Sequence, residues 1–349
     1  MKNLIAITGV GFVTPFGNDE KDMLKLLTEK GSEKNVTANI WELPYDLHDK
    51  YRWINECAHL GYNAANLAWN DDFDYSSIVN ESFGIYVATV LGGMTKTQQQ
   101  ICQGLMKMGP LGISPSHSIH SGYHFTADII AIEKQIFGPN VTYTSGPLAS
   151  GILLMQAFDA IKLKDVDGVI AVGTEYLDDL ALEMCRNLGV LKKEKYFSGA
   201  CSLIVQDAEL VSSGENIKGY LKAIEYVGSL NKEDERQGEE FINNVLSKAE
   251  ISPDEMDLII FTEEDDALYK GCEKIFRKEL LNESICLQRE IGSFLGADCM
   301  MSVIIGLACL KNNVLPYQGQ LKARNIHNVL VLSGNIKTGS LAFVLTDKP

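Results

Sequence analysis

Residues 138–176 decide the fold. They read Gly138-Pro-Asn-Val-Thr-Tyr-Thr-Ser-Gly-Pro-Leu-Ala-Ser-Gly151, then Ile152-Leu-Leu-Met-Gln-Ala-Phe-Asp-Ala-Ile161, and later Gly168-Val-Ile-Ala-Val-Gly-Thr-Glu175. Residues 141–144 predict a short strand that runs into a Gly-Pro turn. A helix should follow, because apolar residues recur at helical spacing at Leu153, Leu154, Ala157 and Ile161. Residues 167–174 predict a fully buried strand. The unit is βαβ, and the N-terminus of its helix favours an anion.

This layout resembles the nucleophile elbow of the β-ketoacyl synthases, a family with the thiolase fold. The family's elbow contains Thr-Ala-Cys-Ala-Ser-Gly, a helix and a strand closing on Gly-Gly-Thr-Glu. Here Ala149-Ser150-Gly151 matches the end of the elbow, and Val172-Gly173-Thr174-Glu175 matches the closing strand. The family's cysteine falls on Leu148 when counted back from Gly151, and on Pro147 when counted forward from Pro139. Neither side chain can attack a thioester.

Further segments resemble the same family in the same order. They are the opening Leu4-Ile-Ala-Ile-Thr-Gly-Val-Gly-Phe-Val-Thr-Pro-Phe-Gly17, the strand and Gly-Gly turn of 83–93, the Ile113-Ser114-Pro115 segment and the strand Ser198-Gly-Ala-Cys-Ser-Leu-Ile-Val205. The second half of the chain repeats the plan of the first. The resemblance implies an α/β, thiolase-like fold in which two duplicated βαβαβ halves form a layered α-β-α-β-α sandwich. We expect one half at residues 1–215, with the elbow and interface segments, and the other at 216–349.

Composition narrows the classes of partner and compartment. The 349 residues carry a net charge of −15, which makes nucleic acid and anionic membranes poor partners. The longest apolar run, Met300–Leu310, is shorter than the roughly 18 residues of a membrane helix and predicts a buried core helix. The eight cysteines are scattered without a Cys-x-x-Cys, which suggests reduced thiols in a cytoplasmic protein. Nothing in the sequence calls for a cofactor or a metal.

The resemblance also shows which catalytic chemistry is missing. Ketosynthases use a cysteine thiolate to hold the acyl chain and two histidines to assist decarboxylation and stabilise an oxyanion. The second histidine position holds Ser293, and the lysine that supports this histidine is replaced by Gln288. The first histidine position holds Glu263, in a shortened loop after a predicted strand. All three catalytic positions, at Leu148, Glu263 and Ser293, are therefore degenerate.

Other groups of polar residues have two interpretations each. His117, His120 and His124 could bind zinc from one helix face, or they could be polar residues of an interface segment; we favour the second. Residues 263–266, Glu-Glu-Asp-Asp, could form an acid/base or magnesium site, or an acidic helix start favoured by the dipole; again we favour the second. Lys192, Lys193 and Lys195 are interpreted as a solvated loop.

An intact scaffold without the cysteine resembles the chain-length factors of type II polyketide synthases. That resemblance implies a heterodimer with an active ketosynthase, with the acyl carrier protein docking mainly on this partner. It also implies an interface that includes Val141, Thr142, Tyr143, Thr144, His120 and His124, and a chain-length tunnel closed by Met94, Thr97 and Ile101. Chain-length factors often carry glutamine at the cysteine position, so this chain is divergent, and aryl polyenes or aromatic polyketides are the expected products.

Two other functions stay open at the level of sequence. One is a repurposed acyltransferase or thioesterase that uses Ser150, or an acidic residue, in place of the cysteine. Against it, Ser150 lies where the family has a structural serine, and no base is identifiable. The other is a purely structural scaffold in a carrier-protein pathway.

Overall fold

The computed structural model describes residues 4–28, 43–47, 49–51, 54–71, 73–76, 78–115, 121–187, 189, 195–211, 216–230, 235–335 and 339–349. The strands are β1 Ile5–Val13, β2 Phe83–Ala88, β3 Asn140–Tyr143, β4 Gly168–Glu175, β5 Gly199–Asp207, β6 Gly219–Val227, β7 Leu258–Phe261, β8 Ile285–Cys286, β9 Val314–Tyr317, β10 Gln320–Ala323, β11 Asn328–Asn335 and β12 Gly339–Thr346. The α-helices are α1 Glu20–Thr28, α2 Glu56–Trp69, α3 Met94–Met108, α4 Phe125–Lys134, α5 Ala149–Lys162, α6 Asp179–Asn187, α7 Glu235–Ala249, α8 Asp266–Ile275, α9 Lys278–Asn282, α10 Leu287–Glu290 and α11 Asp298–Asn312.

Ten strands form one sheet whose order shows the duplication. The order is β3-β2-β4-β5-β1-β6-β12-β11-β7-β8, and β9 and β10 form a separate hairpin. Counting outward from the centre, the two halves run β1-β5-β4-β2-β3 and β6-β12-β11-β7-β8, which is the same connectivity once the hairpin is set aside. The parallel and antiparallel pairings also correspond. The halves join where β1 pairs with β6, over Ile5 to Ile7.

Alternating strand residues contact different layers of the core. In β4, Val169 and Ala171 face the central cluster, whereas Ile170 and Val172 pack with residues of α2 and α4. In the other half, β11 likewise divides its side chains between the central cluster and the cluster formed with α7, α8 and α9. Because side chains alternate along a strand, each half-sheet is covered on both faces. The result is the expected α-β-α-β-α sandwich.

Helices α5 and α11 form the central layer. Leu153, Leu154 and Ala157 of α5 are fully buried, which confirms the predicted apolar stripe. Segment Leu295–Asn312 is long and apolar enough to cross a membrane by length and composition, but 89% of it is buried inside the protein. It is the core helix predicted from the apolar run. The helices approach closely at Gly151, where an added Cβ would lie 3.0 Å from the Cys299 Sγ.

Some elements differ from the sequence-based expectation. The sequence from Asp265 to Leu280 predicts one helix, but the chain becomes extended at Phe276 and Arg277 and divides into α8 and α9. The short helix α6 and the hairpin β9–β10, which contains Pro316 and Gly319, were not predicted. The division of the chain after residue 215 stays a prediction.

Candidate functional site

The elbow brings an alkyl side chain, rather than a nucleophile, to the start of α5. After β3 the chain makes a tight turn at residues 146–148, where Gly146 has a φ of 64° that favours glycine. Leu148 occupies the position immediately before α5 and is completely buried in the central cluster. Pro147 lies within the turn itself. The helix N-terminus therefore lacks a group that could form a thioester.

The residues at the degenerate histidine and lysine positions converge on one buried carboxylate. Ser293 Oγ donates a hydrogen bond to Asp298 Oδ2 over 2.6 Å, and Gln288 Nε2 donates to the same oxygen over 3.0 Å. The main-chain N–H of Phe294 donates to the other oxygen. We call Gln288, Ser293, Phe294 and Asp298 the Asp298 network. It fixes the turn that leads into α11, and a carboxylate surrounded by these donors is poorly placed to act as a base.

The acidic run after β7 has three different environments. Glu263 is buried, whereas Glu264 is exposed and lies 3.8 Å from Arg289. Asp265 caps α8, since its carboxylate accepts from the N–H groups of Ala267 and Leu268. This arrangement favours the helix-start interpretation, and among the described residues no group of three or more His, Cys, Asp or Glu side chains could hold a metal ion.

Buried thiols near the elbow are held in the protonated form. Cys299 lies beside Gly151, and its Sγ donates to Ser333 Oγ over 3.1 Å. Burial, with smaller contributions from Asp298 and Glu263, raises the pKa of Cys299 to about 12. A thiol with this pKa has almost no thiolate at neutral pH, so Cys299 is a poor nucleophile.

Ser150, the alternative nucleophile, is engaged in helix packing. Its side chain is completely buried, and its Oγ accepts a hydrogen bond from the main-chain N–H of Met300 over 3.2 Å. This bond joins the first turns of α5 and α11. The structure therefore favours the structural role that the sequence comparison indicated.

Ser150→Ala is expected to destabilise the protein without changing its acyl chemistry. The substitution leaves the buried N–H of Met300 without its acceptor, which costs about 1–3 kcal/mol. Urea unfolding measures this loss, and a malonyl- or acyl-thioester assay measures chemistry. Ser150→Thr keeps the acceptor and serves as the control. The structural role would be contradicted if the wild type transfers acyl groups and the Ser150→Ala protein folds normally but does not.

Glu175 is a site residue that the sequence analysis treated only as part of a matching motif. It ends β4, is completely buried, and its carboxyl accepts from the main-chain N–H groups of Val90 and Leu91, the latter over 3.3 Å. The N–H of Gly296 and the hydroxyl of Thr89 also hydrogen-bond to it. Burial raises the pKa of Glu175 to about 8, although these hydrogen bonds oppose the shift.

Titration of Glu175 is expected to lower stability as the pH rises. The unfolded carboxyl ionises near 4.5, whereas the folded protein holds the proton until its pKa of about 8. The native state therefore binds more protons in this window, and the free energy of unfolding falls across it by up to about 5 kcal/mol. Urea unfolding of the wild type and Glu175→Gln at pH 5–9 tests this. The stability advantage of the wild type should shrink with rising pH, and parallel curves would contradict the assignment.

The expected tunnel residues lie on the helix that follows the Gly92-Gly93 turn. Thr97 is buried at 5% exposure, and Ile101 is half-buried. The side chain of Met94 lies outside those that the structure describes. Further along, α3 and the turn after it expose apolar side chains, a feature that the sequence analysis missed: Leu105, Met106, Met108 and Leu111.

Strand β3 lies at the edge of the sheet. It pairs with β2, and in the described part of the chain no strand pairs with its other edge. Val141 and Tyr143 pack against the central cluster, whereas Thr144 is exposed and lies just after the strand. Thr142 Oγ1 is buried without a hydrogen-bond partner among the described residues.

The predicted histidine and lysine clusters are only partly described. His124 is exposed, with its Nε2 3.6 Å from Asp128 Oδ2. His117 and His120 lie outside the described residues, as do Lys192 and Lys193, so the interpretations of these clusters stay predictions.

Comparison with known proteins agrees with this architecture. A sequence profile described as the N-terminal domain of beta-ketoacyl synthase matches residues 48–209. The chain is 24% identical over 191 residues, 50% of its length, to 3-oxoacyl-[acyl-carrier-protein] synthase 2 of Coxiella burnetii. The match spans 46% of the length of that relative, which is less than half.

Solved structures resemble the whole chain. One is a type II PKS acyl-carrier protein in complex with its ketosynthase bound to the hexaketide, with a TM-score of 0.80, 16% identity and 100% coverage of both chains. Another is the ishigamide ketosynthase/chain length factor, with a TM-score of 0.79, 13% identity and coverage of 99% of this chain and 100% of that chain. At this identity the likeness establishes the fold alone. The chain has the thiolase-like ketosynthase fold.

Proposed function

We propose that this chain is a non-catalytic chain length factor that pairs with an active ketosynthase and sets chain length in type II polyketide biosynthesis, of aryl polyenes or aromatic polyketides. The observation that carries the proposal is the completely buried Leu148 at the start of α5. Catalysis at this elbow requires a nucleophile with access to the thioester, and a leucine in the core offers neither.

The other degenerate positions support the same conclusion. Ser293 and Gln288 are bound to Asp298, so the residues at the histidine and lysine positions now stabilise a turn. Glu263 is a carboxylate where the resemblance places a histidine. An oxyanion requires hydrogen-bond donors, and an ionised carboxylate only accepts.

Surface features support a partner subunit. The open edge of β3 presents unpaired main-chain groups, and Thr142 Oγ1 is buried without a partner in the described chain. Met106 and Leu111 on and after α3 are 87% and 90% exposed, which is unusual for large apolar side chains. A neighbouring subunit over these two regions would bury both.

The solved relatives indicate what kind of partner fits. One contains a ketosynthase with an acyl-carrier protein, and another contains a ketosynthase with a chain length factor. The charge of −15 on this chain opposes docking of an acidic carrier protein. We therefore assign carrier-protein docking mainly to the ketosynthase partner.

The isolated chain is expected to show no condensation or decarboxylation of malonyl-carrier protein. Combined with a ketosynthase that has an intact Cys-His-His set, it should form a 1:1 complex that makes products of defined length. Size-exclusion chromatography with light scattering and product mass spectrometry measure both properties. The control is a partner whose catalytic cysteine is replaced by alanine, which should remove all product. Turnover by this chain alone would reject the proposal. So would the finding that it binds none of the ketosynthases encoded beside its gene.

A further inference from the structure

The carboxyl group of Glu175 accepts hydrogen bonds from main-chain N–H groups of two separate segments. Val90 and Leu91 belong to the connection between β2 and α3, and Gly296 belongs to the turn before α11. The two segments come from opposite halves of the duplicated fold. One completely buried carboxyl group therefore joins the start of the helix that carries Thr97 to the turn held by the Asp298 network.

Within the described residues, this buried acid has no cation beside it. Among the described residues no Lys, Arg or His forms an ion pair with Glu175, and the titratable groups that interact with it are the thiols of Cys57 and Cys185. Burial of a carboxyl group without a cation is unfavourable, so the main-chain donors and the Thr89 hydroxyl must offset the cost.

The space around the carboxyl group is also full. A Cβ added to Gly296 would lie 2.8 Å from Glu175 Oε1 and 3.1 Å from Val90 Cγ2. On the other side, Gly92 and Gly93 adopt φ values of 58° and 70°, and the Gly92 N–H donates to Thr89 Oγ1 over 2.9 Å. The path of the chain into α3 is thus set by contacts with Glu175 and Thr89. Displacement of either segment disturbs the other.

We propose that Glu175 is a positioning residue that couples the start of α3 to the turn before α11. Its carboxyl group holds both segments at a fixed separation, and this separation places Thr97, one turn into α3, relative to the elbow. The consequence for chain length rests on the proposed function, whereas the coupling itself is a property of this chain alone. Loss of the carboxyl group should release both segments together.

Amide hydrogen exchange of the purified chain tests the coupling. In Glu175→Leu, no side-chain oxygen remains to accept from the main-chain donors, so exchange at Val90, Leu91 and Gly296 should accelerate about tenfold or more. Thr174→Val is the matched control. Thr174 is equally buried on the same strand, but its hydroxyl donates to the Cys57 carbonyl on α2 over 2.8 Å. This control should lose stability without a selective change at the two segments.

Gly296→Ala provides a second variant should Glu175→Leu fail to fold. Its methyl group displaces the carboxyl group from the side of α11, while the glutamate itself is kept. Faster exchange at Val90 and Leu91 in this variant would support the coupling, because the substitution lies in the other segment. Unchanged exchange there, or acceleration at only one segment in Glu175→Leu, would overturn it.

Product analysis with the ketosynthase partner separates the two claims. If amide exchange accelerates at both segments and product lengths shift, the coupling and its role in chain length are both supported. If amide exchange accelerates at both segments and product lengths stay constant, the coupling is supported and the proposed role of α3 in chain length is rejected.

Discussion

Thr142→Pro is expected to abolish pairing with the ketosynthase partner while the chain itself still folds. The Pro139 carbonyl accepts from the Ile85 N–H, and the Tyr143 carbonyl accepts from the Thr89 N–H. These bonds place the main-chain groups of alternate β3 residues against β2, so the N–H of Thr142 points to the open edge. Proline at an edge position removes this donor without breaking the pairing inside the sheet.

The expected loss of partner affinity is about 100-fold or more. The strand that would pair with the partner loses a hydrogen-bond donor, and the proline ring projects from the middle of its open edge. Sedimentation velocity of mixtures with the partner measures the complex, and circular dichroism confirms folding. Thr142→Val is the matched control, because it keeps the N–H and approximates the shape of threonine. Undiminished complex formation by folded Thr142→Pro would show that the partner does not pair with β3.

Local patterns were sufficient to predict the central layer. The apolar stripe of α5 and the continuous apolar run of α11 are patterns of residues close together in the sequence. Each pattern predicts a buried helix, and both predictions were confirmed. The N-caps at Asn55 and Asp265 also follow from local sequence. By contrast, the break between α8 and α9 has no proline or glycine to mark it.

Long-range contacts account for what the sequence did not predict. The role of Glu175 depends on main-chain groups of Val90 and Gly296, which are distant in the chain and carry no side-chain signal. The Asp298 network could have been partly foreseen, because an acidic residue in the first turn of a helix often binds nearby N–H groups. The convergence of Gln288 and Ser293 on that carboxylate required the structure.

The exposure of apolar residues on α3 was also beyond sequence reasoning. A helical pattern of apolar residues does not show which of them lack a cover, since a partner-facing stripe has the same pattern as a core-facing one. Met106 and Met108 were therefore not distinguished from core residues, although the structure exposes both.

Substitutions on α3 should change product length more than any other property of the pair. Thr97 is buried and Ile101 is half-buried one turn later, so both lie at the boundary between the helix and the interior. A bulky side chain there would overlap a growing acyl chain, and forcing a chain against such a wall costs about 1–3 kcal/mol. Thr97→Trp should shorten the products, whereas Ile101→Ala and Met94→Ala should lengthen them.

The expected shift is about tenfold in the ratio of neighbouring product lengths, which corresponds to roughly 1.4 kcal/mol, with the rate of each extension little changed. Mass spectrometry of products from the reconstituted pair measures the distribution. Gln99→Ala is the matched control, because it lies on the same helix with an exposed side chain. If these residues instead only fill an interface core, truncation weakens the complex and lowers all products equally. An unchanged length distribution at reduced yield would therefore reject the tunnel assignment, since a wall residue acts on the longest chains alone.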